Sequence, residues 1–207
     1  MDIYLIRHGQ STGNGRGCFL GWGEHALTEL GRAQAEAAAE RLAPLGPMPV
    51  LCSDLARACE TGAIIAARWG GAVQPDPRWR EIHCGELENC PWDALREHPA
   101  LAAQYEADPY GTAMPGGESV AMMAARVTAA FLDVLARTDA RLAIVTHDGP
   151  IRAVLAHSLQ FPPTRFWTLT TNHGGLTHLA QSDDWLTIRT VNDTSHLKGL
   201  ETSGSYQ

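Results

Sequence analysis

Three short apolar runs, each followed by a segment with a helical pattern, constrain the fold of this chain more than any other feature. The runs read IYLI at 3–6, VLCS at 50–53 and LAIVTH at 142–147, and helical patterns follow at 28–45, 55–69 and 149–159. Runs of this kind are typical of strands that are buried on both faces. Buried strands that alternate with helices predict a parallel sheet with helices packed on each side.

The rest of the chain adds a short strand near 72–74 and a helix over 119–138. Two further segments do not follow the alternation of buried strand and helix. Segment 92–117 contains several prolines and ends on a Pro-Gly-Gly turn, which predicts an insertion at one edge of the sheet. The C-terminal GGLTHLAQSDDWLTIRTV has two extended runs around SDD and predicts a hairpin.

We therefore expect an α/β fold: a three-layer α/β/α sandwich with a mostly parallel central sheet, a helical and loop insertion, and a C-terminal edge hairpin. With 207 residues, one domain is the default. It should span 1–199, with the insertion at about 92–117 and a flexible tail at 200–207.

Composition excludes several classes of partner. The net charge of -7 disfavours nucleic-acid binding, because duplex binders need a basic face. No apolar stretch reaches the roughly 20 residues that a membrane span requires. The five cysteines form no CxxC pair, and the N-terminus lacks the charged and apolar regions of a signal peptide. We expect a cytoplasmic protein with reduced thiols and no membrane partner.

Polar and charged side chains follow the predicted buried strands. Arg7 and His8 end the first strand, Arg57 lies one helical turn beyond the second, and His147 ends the third. In open parallel sheets, ligands bind beyond the carboxyl ends of the strands, so these groups should converge in one crevice. Guanidinium groups match phosphate oxygens, and an imidazole among cations stays unprotonated more readily. The pattern predicts a phosphate site with a histidine nucleophile.

Five stretches, in order, resemble the motifs of the histidine phosphatase superfamily, which includes cofactor-dependent phosphoglycerate mutases. They are IRHGQSTGN, SDLARACET, REIHCGELE, PGGES and VTHDGPIR, which together cover nearly the whole chain. The resemblance implies that His8 is phosphorylated, that Arg7, Arg57 and His147 hold the phosphoryl group, and that Glu81 is the proton donor and acceptor.

The resemblance also implies phosphate or substrate contacts from Asn14, Gly21 and Asp148. It implies no cofactor and no metal ion, because arginines supply the positive charge near the phosphoryl group. The expected partner is a small phosphorylated metabolite, and an edge hairpin would allow a homodimer.

Five positions depart from the family pattern; Gln10 in place of glutamate is a mild change, and Asn89 replaces a glycine next to the change at Leu87. Asp148 stands where the family usually has glycine, and it brings a carboxylate next to a phosphate pocket; we expect its side chain to point outward. Glu60 replaces a commoner glutamine, and Leu87 replaces a tryptophan. We expect the last two changes to alter the floor beneath the organic part of the substrate.

Three functions are compatible with these residues. The favoured one is a metal-independent phosphomonoester hydrolase that works through a phosphohistidine, because the stretch between Arg80 and Ala113 is short compared with the lid of the mutases. The first alternative is a cofactor-dependent phosphoglycerate mutase. The second is a non-catalytic module that binds a phosphorylated ligand. Loss of His8 or Glu81 would indicate such a module, and both residues are present.

Overall fold

The structure, a computed structural model, describes residues 1–183 and 185–200. Strands and α-helices alternate through most of the chain, as the sequence predicts. In chain order the elements are β1 Asp2–Arg7, α1 Glu29–Leu42, β2 Val50–Cys52, α2 Ala56–Ala67, β3 Val73–Pro75, α3 Pro99–Ala107, α4 Val120–Leu135, β4 Arg141–Thr146, α5 Asp148–Leu159, β5 Leu176–Ser182 and β6 Trp185–Asp193.

The six strands form one sheet in the order β3-β2-β4-β1-β5-β6. Strands β3, β2, β4 and β1 are parallel, while β5 runs antiparallel to β1 and β6 antiparallel to β5. The carboxyl ends of β1, β2 and β4 therefore meet at one edge. Because β5 is antiparallel, the residues just before Leu176 arrive at this same edge, opposite Ile6.

The buried strands divide their side chains between two apolar cores. Ile3, Leu5 and Ile144 pack with helices α4 and α5, whereas Ile6 and Val145 pack with α1 and α2. This alternation along each strand produces three layers, and the predicted α/β/α sandwich is confirmed. The predicted C-terminal hairpin is β5 and β6, and β6 forms one edge of the sheet.

Two local features position the first loop. Thr28 caps α1 by accepting a hydrogen bond from the Gly31 amide at 3.0 Å. A Cβ on Gly31 would lie 2.0 Å from the Gln10 carbonyl oxygen, and one on Gly9 would lie 2.1 Å from the Gly31 carbonyl oxygen. The backbone after β1 therefore passes directly over the start of α1, and only glycine permits that contact.

The proline-rich insertion contains the 3-10 helix Trp92–Glu97 and helix α3. Of the expected tail at 200–207, residues 201–207 lie outside the described residues. Across 1–183 and 185–200, no helix is both long and apolar enough to cross a bilayer.

Candidate active site

His8 lies immediately after β1 and is buried, with 3% of its surface exposed. Its Nδ1 is 2.7 Å from the Gly9 carbonyl oxygen, which can only accept a hydrogen bond, so Nδ1 carries the proton. Its Nε2 then presents a lone pair. The Nε–H of Arg57 donates toward this nitrogen at 3.3 Å. The ring is thus oriented with an unprotonated nitrogen beside a guanidinium group.

Arg57 lies in the first turn of α2, and the loop before α1 fixes its side chain. Its terminal nitrogens donate to the carbonyl oxygens of Gly21 at 2.7 Å and Gly23 at 2.8 Å. The residue is only 2% exposed. Because a buried guanidinium needs acceptors for its N–H groups, these two carbonyls hold the charge in place without neutralising it.

Two further imidazoles surround His8. The ring centroid of His147 is 5.0 Å from that of His8, and the centroid of His173 is 5.6 Å away. The Nε2 of His147 bonds to the Ser53 hydroxyl at 2.8 Å. The Nδ1 of His147 is buried and has no hydrogen-bond partner among the described residues.

Burial and positive neighbours keep these imidazoles neutral. Burial is the main cause that lowers the pKa of His8 well below its usual value, and repulsion from His147, Arg57, His173 and Arg7 adds to it. Burial followed by Arg57 and Arg7 lowers the pKa of His147 well below its usual value. The same three causes bring the pKa of His173 to about 2. The cluster is therefore uncharged at neutral pH, and His8 Nε2 keeps an unprotonated lone pair, which accepts the hydrogen bond from Arg57.

Donors for an anion line the space next to His8. Arg7 donates through one terminal nitrogen to the Thr171 carbonyl oxygen, while its buried Nε has no acceptor within the described part of the chain. The side-chain oxygen of Asn14 accepts from the amide and hydroxyl of Ser11, both at 2.8 Å. This contact leaves the Asn14 amide nitrogen as the donor end. Both residues line the cavity that His8 faces, and an unmatched buried guanidinium donor such as Arg7 Nε at this place indicates an anionic ligand.

Glu81 lines the same cavity. Its carboxylate accepts hydrogen bonds from the amides of Ile82 at 2.9 Å and Gly149 at 3.2 Å. Burial is the largest influence on its pKa and raises it; the charge of Asp148 also raises it, while the two amides and Arg57 act in the opposite direction. A carboxyl group with a raised pKa holds its proton closer to neutral pH, as a general acid requires.

The backbone of Glu81 is also fixed. The indole nitrogen of Trp22 donates to its carbonyl oxygen at 2.7 Å, and Arg126 donates to the same oxygen at 3.2 Å. The Trp22 ring stacks on His83 with centroids 4.3 Å apart. Trp22 therefore supports the segment that carries Glu81.

Asp148, the first residue of α5, does not turn outward as the sequence analysis expects. It is 8% exposed and lines the cavity. One carboxylate oxygen accepts from the amide and hydroxyl of Thr171, at 3.1 and 2.8 Å, and the other lies 2.8 Å from Arg152 Nε. The negative charge is therefore balanced by Arg152, which explains how a carboxylate is tolerated beside a site for an anion.

A sequence model of the histidine phosphatase superfamily (branch 1) matches residues 3–194. The chain belongs to the histidine phosphatase superfamily. A curated relative named "Probable phosphoglycerate mutase GpmB", from Yersinia pestis (strain Pestoides F), is 31% identical over 204 residues, which are 95% of each chain.

Solved structures of the superfamily share the fold. The mycobacterial glucosyl-3-phosphoglycerate phosphatase in complex with VO3 is 30% identical, covers 92% of this chain and 98% of its own, and superimposes with a TM-score of 0.80. The alpha-ribazole phosphatase from Shigella flexneri is 24% identical, with coverages of 93% and 96% and a TM-score of 0.85. At the latter identity, the likeness concerns the fold alone.

The predicted site residues of this superfamily member lie together, with different degrees of access. Cavity-lining members of the predicted set are Arg7, His8, Asn14, Gly21, Arg57, Glu81 and Asp148. His147 is not among the lining residues and lies against the His8 ring. Gly21 acts largely through its carbonyl oxygen, which binds Arg57. Its φ of +36° and a would-be Cβ 2.4 Å from the Glu88 carboxylate explain why glycine occupies this position.

The expected effect of Glu60 and Leu87 on the floor of the substrate site is wrong. Neither residue lines the cavity. Glu60 lies between helices, where its carboxylate binds Arg32 at 2.6 Å, and Leu87 is buried in the packing beneath the loops.

Sequence reasoning missed His173, Thr171 and the role of Arg152. His173 and Thr171 precede β5, in a stretch without a recognisable motif. The available signal was the hairpin itself: if its first strand pairs antiparallel with β1, the preceding residues must reach the His8 edge. The role of Arg152 as the partner of Asp148 depends on the inward position of the Asp148 side chain, which lies one helical turn away on α5.

Proposed function

We propose that this protein hydrolyses phosphomonoesters through a phosphohistidine formed on His8. The observation that carries the proposal is the orientation of the His8 ring: Nδ1 binds the Gly9 carbonyl, and the unprotonated Nε2 faces Arg57 in a buried pocket. Membership of the superfamily is compatible with both a phosphatase and a mutase. The proposed hydrolase activity is therefore more specific than the family membership.

In the first step, His8 Nε2 attacks phosphorus and the bond between phosphorus and the ester oxygen breaks. Glu81 transfers its proton to the departing alkoxide, which leaves as an alcohol. In the second step, Glu81 takes a proton from water, the resulting oxygen attacks phosphorus, and the bond from phosphorus to Nε2 breaks. Inorganic phosphate is released, and both residues return to their starting protonation states.

Arg7, Arg57 and Asn14 supply donors to the phosphoryl oxygens, and the resemblance adds His147. The positive charge of the arginines compensates the charge that develops on the phosphoryl oxygens. We therefore expect full activity after treatment with EDTA. Restoration of activity by Mg²⁺ after EDTA treatment would contradict this part of the proposal.

The cofactor-dependent mutase is the second candidate, because the Yersinia relative carries that name. A mutase must return the phosphoryl group to a sugar acid before water reaches it, so the two functions differ in water access. Incubation of 3-phosphoglycerate with and without 2,3-bisphosphoglycerate separates them. Efficient formation of 2-phosphoglycerate that depends on the bisphosphate would favour the mutase, whereas release of inorganic phosphate favours the hydrolase.

The primary test is hydrolysis of p-nitrophenyl phosphate in EDTA by wild type, His8→Ala and His98→Ala. His98 is exposed in the insertion and serves as the matched control. We expect His8→Ala to lose detectable turnover and the control to retain it. Wild type quenched in alkaline detergent should carry an alkali-stable, acid-labile phosphoryl group that His8→Ala lacks. Inactivity of wild type across a broad phosphomonoester panel would instead favour the non-catalytic binding module.

A further inference from the structure

The cavity extends well beyond the phosphate end, and its outer wall is apolar. Three segments build this wall: the loop before α1, the 92–117 insertion and the 3-10 helix Pro163–Thr168. Most of the side chains that they contribute are aromatic or aliphatic, including Phe19, Leu20, Trp92, Tyr105, Phe166 and Trp167. The cavity volume of about 620 Å³ falls within the roughly 300–1,000 Å³ typical of small-molecule sites. The phosphate therefore occupies the inner end, and the organic group has the remaining space.

Few cationic side chains line the cavity. Among the lining residues in the described part of the chain there are three arginines and no lysine. Arg7 and Arg57 are buried near His8 and serve the phosphoryl group. Arg152 is paired with the Asp148 carboxylate at 2.8 Å. The three arginines are therefore already engaged by the phosphoryl group or by Asp148. A second anionic group on the substrate would find no further cation among the described residues of this wall.

The energetics of the outer wall favour an uncharged organic group. A carboxylate placed against apolar side chains loses hydration without gaining a partner, which is strongly unfavourable. A flat apolar group gains both burial and ring contacts. Trp92 and Trp167 line the cavity and are 45% and 44% exposed, so a ligand that contacts these rings would remove large apolar surfaces from water. Phe166 backs Trp167 edge-on with centroids 5.3 Å apart, which gives that ring a firm base.

We propose that the substrate is a phosphomonoester with the phosphate as its single anionic centre and an aromatic or otherwise apolar organic group. This inference rests on the proposed phosphatase function and selects among its substrates. Phosphoglycerates, bisphosphates and other esters with a second anion fit the cavity poorly, and aryl or arylalkyl phosphates fit it well.

A matched pair of esters tests the inference. In 4-methylphenyl phosphate and 4-carboxyphenyl phosphate the leaving group is a phenol, and the para substituent differs in charge. We expect kcat/KM to be at least about tenfold higher for the methyl compound, mainly through KM, because its substituent contacts the apolar wall without a desolvation penalty. Equal or higher kcat/KM for the carboxylated ester would overturn the inference.

Variants locate the effect. Trp167→Ala should raise KM for 4-methylphenyl phosphate by about two- to tenfold, as expected for a lost aromatic contact, and should change kcat/KM for glycerol 3-phosphate much less. Trp185→Ala is the matched control, because Trp185 lies on edge strand β6, is 78% exposed and does not line the cavity. An equal loss on both substrates, or an effect of the control variant, would contradict the assignment of this wall.

Binding separates failure of this inference from failure of the proposed function. Benzylphosphonate and 4-carboxybenzylphosphonate cannot be hydrolysed at an ester bond, so their Kd values are measurable whether or not the protein is a phosphatase. We expect tighter binding of benzylphosphonate to wild type and a weaker preference in Trp167→Ala. If the protein hydrolyses neither aryl ester but still binds benzylphosphonate more tightly, the phosphatase function is rejected and the proposed class of ligand is retained. Tighter binding of the carboxylated phosphonate would reject the ligand class.

Discussion

The cluster of neutral imidazoles predicts that this protein loses stability in mild acid, and His173 provides the cleanest test. Burial, with Arg7 and Arg57, lowers the pKa of His173 to about 2, whereas an unfolded chain has a histidine pKa of about 6.5. Between these values the unfolded state binds a proton that the folded state does not. The stabilisation is therefore present above pH 6.5 and is lost as the pH falls below it.

The magnitude follows from proton linkage. Between pH 7 and pH 5, one histidine that stays neutral only in the folded state reduces the free energy of unfolding by about 2 kcal/mol. His8 and His147 are shifted in the same direction, so each adds to this loss. The loss of about 2 kcal/mol from His173 is already a sizeable part of the total stability of a typical domain, about 5–15 kcal/mol.

The assay is urea unfolding of wild type and His173→Gln at pH 7 and pH 5. We expect the variant to lose about 2 kcal/mol less than wild type over this interval, whatever its absolute stability, because one titrating group has been removed. The raised pKa of Glu81 contributes with the opposite sign in both proteins and cancels from the comparison. His98→Gln, a change of an exposed histidine, is the control and should match wild type. An unchanged pH dependence in His173→Gln would refute the reasoning.

Three further predictions follow from contacts within the site and the fold. Glu81→Gln should lower kcat/KM for glycerol 3-phosphate by about 100-fold or more. It should lower kcat/KM for p-nitrophenyl phosphate less, because that leaving group needs no proton. An equal loss of kcat/KM on both substrates would argue against Glu81 as a general acid. In wild type, kcat/KM for glycerol 3-phosphate should fall on the alkaline side as Glu81 loses its proton, since the pKa of this group is raised; an alkaline limb that persists in Glu81→Gln would assign it to another group. Gly31→Ala places Cβ 2.0 Å from the Gln10 carbonyl oxygen and should markedly lower the free energy of unfolding. The control Gly71→Ala, whose Cβ meets nothing nearer than 3.5 Å, should change it little. Similar free energies of the two variants in urea unfolding would contradict the close approach.

Much of the fold and part of the site could be predicted because their signals are local. The run at 3–6 is apolar without alternation, as a strand covered on both faces must be, and Thr28 stands where a helix cap is needed. His8, Arg57 and His147 could be placed at one edge because carboxyl ends of parallel strands share an edge. These inferences require only periodicity and topology.

The errors have a common physical origin: they concern the direction of side chains in three dimensions. Asp148 was expected to point outward because a carboxylate beside an anion site is unfavourable, but Arg152 and Thr171 compensate its charge and hydrogen-bonding needs. The place of Glu60 and Leu87 in the motifs predicts that they contribute to the substrate floor, but neither residue lines the cavity. A motif identifies neighbours along the chain, and contacts across the sheet decide which of them face the ligand.

By itself, the sequence determined the order of strands and helices, and it placed the proposed nucleophile His8 and the guanidinium groups near strand ends, because hydrophobic period and strand-end chemistry are encoded within a few consecutive residues. Only the tertiary structure decided that His173 joins His8, since an antiparallel strand brings it from 165 positions away along the chain. It also decided the balance of Asp148 by Arg152 and the apolar wall around Trp92 and Trp167. These features depend on segments that meet only after folding, where burial sets both the charge state of each imidazole and the chemistry the cavity accepts.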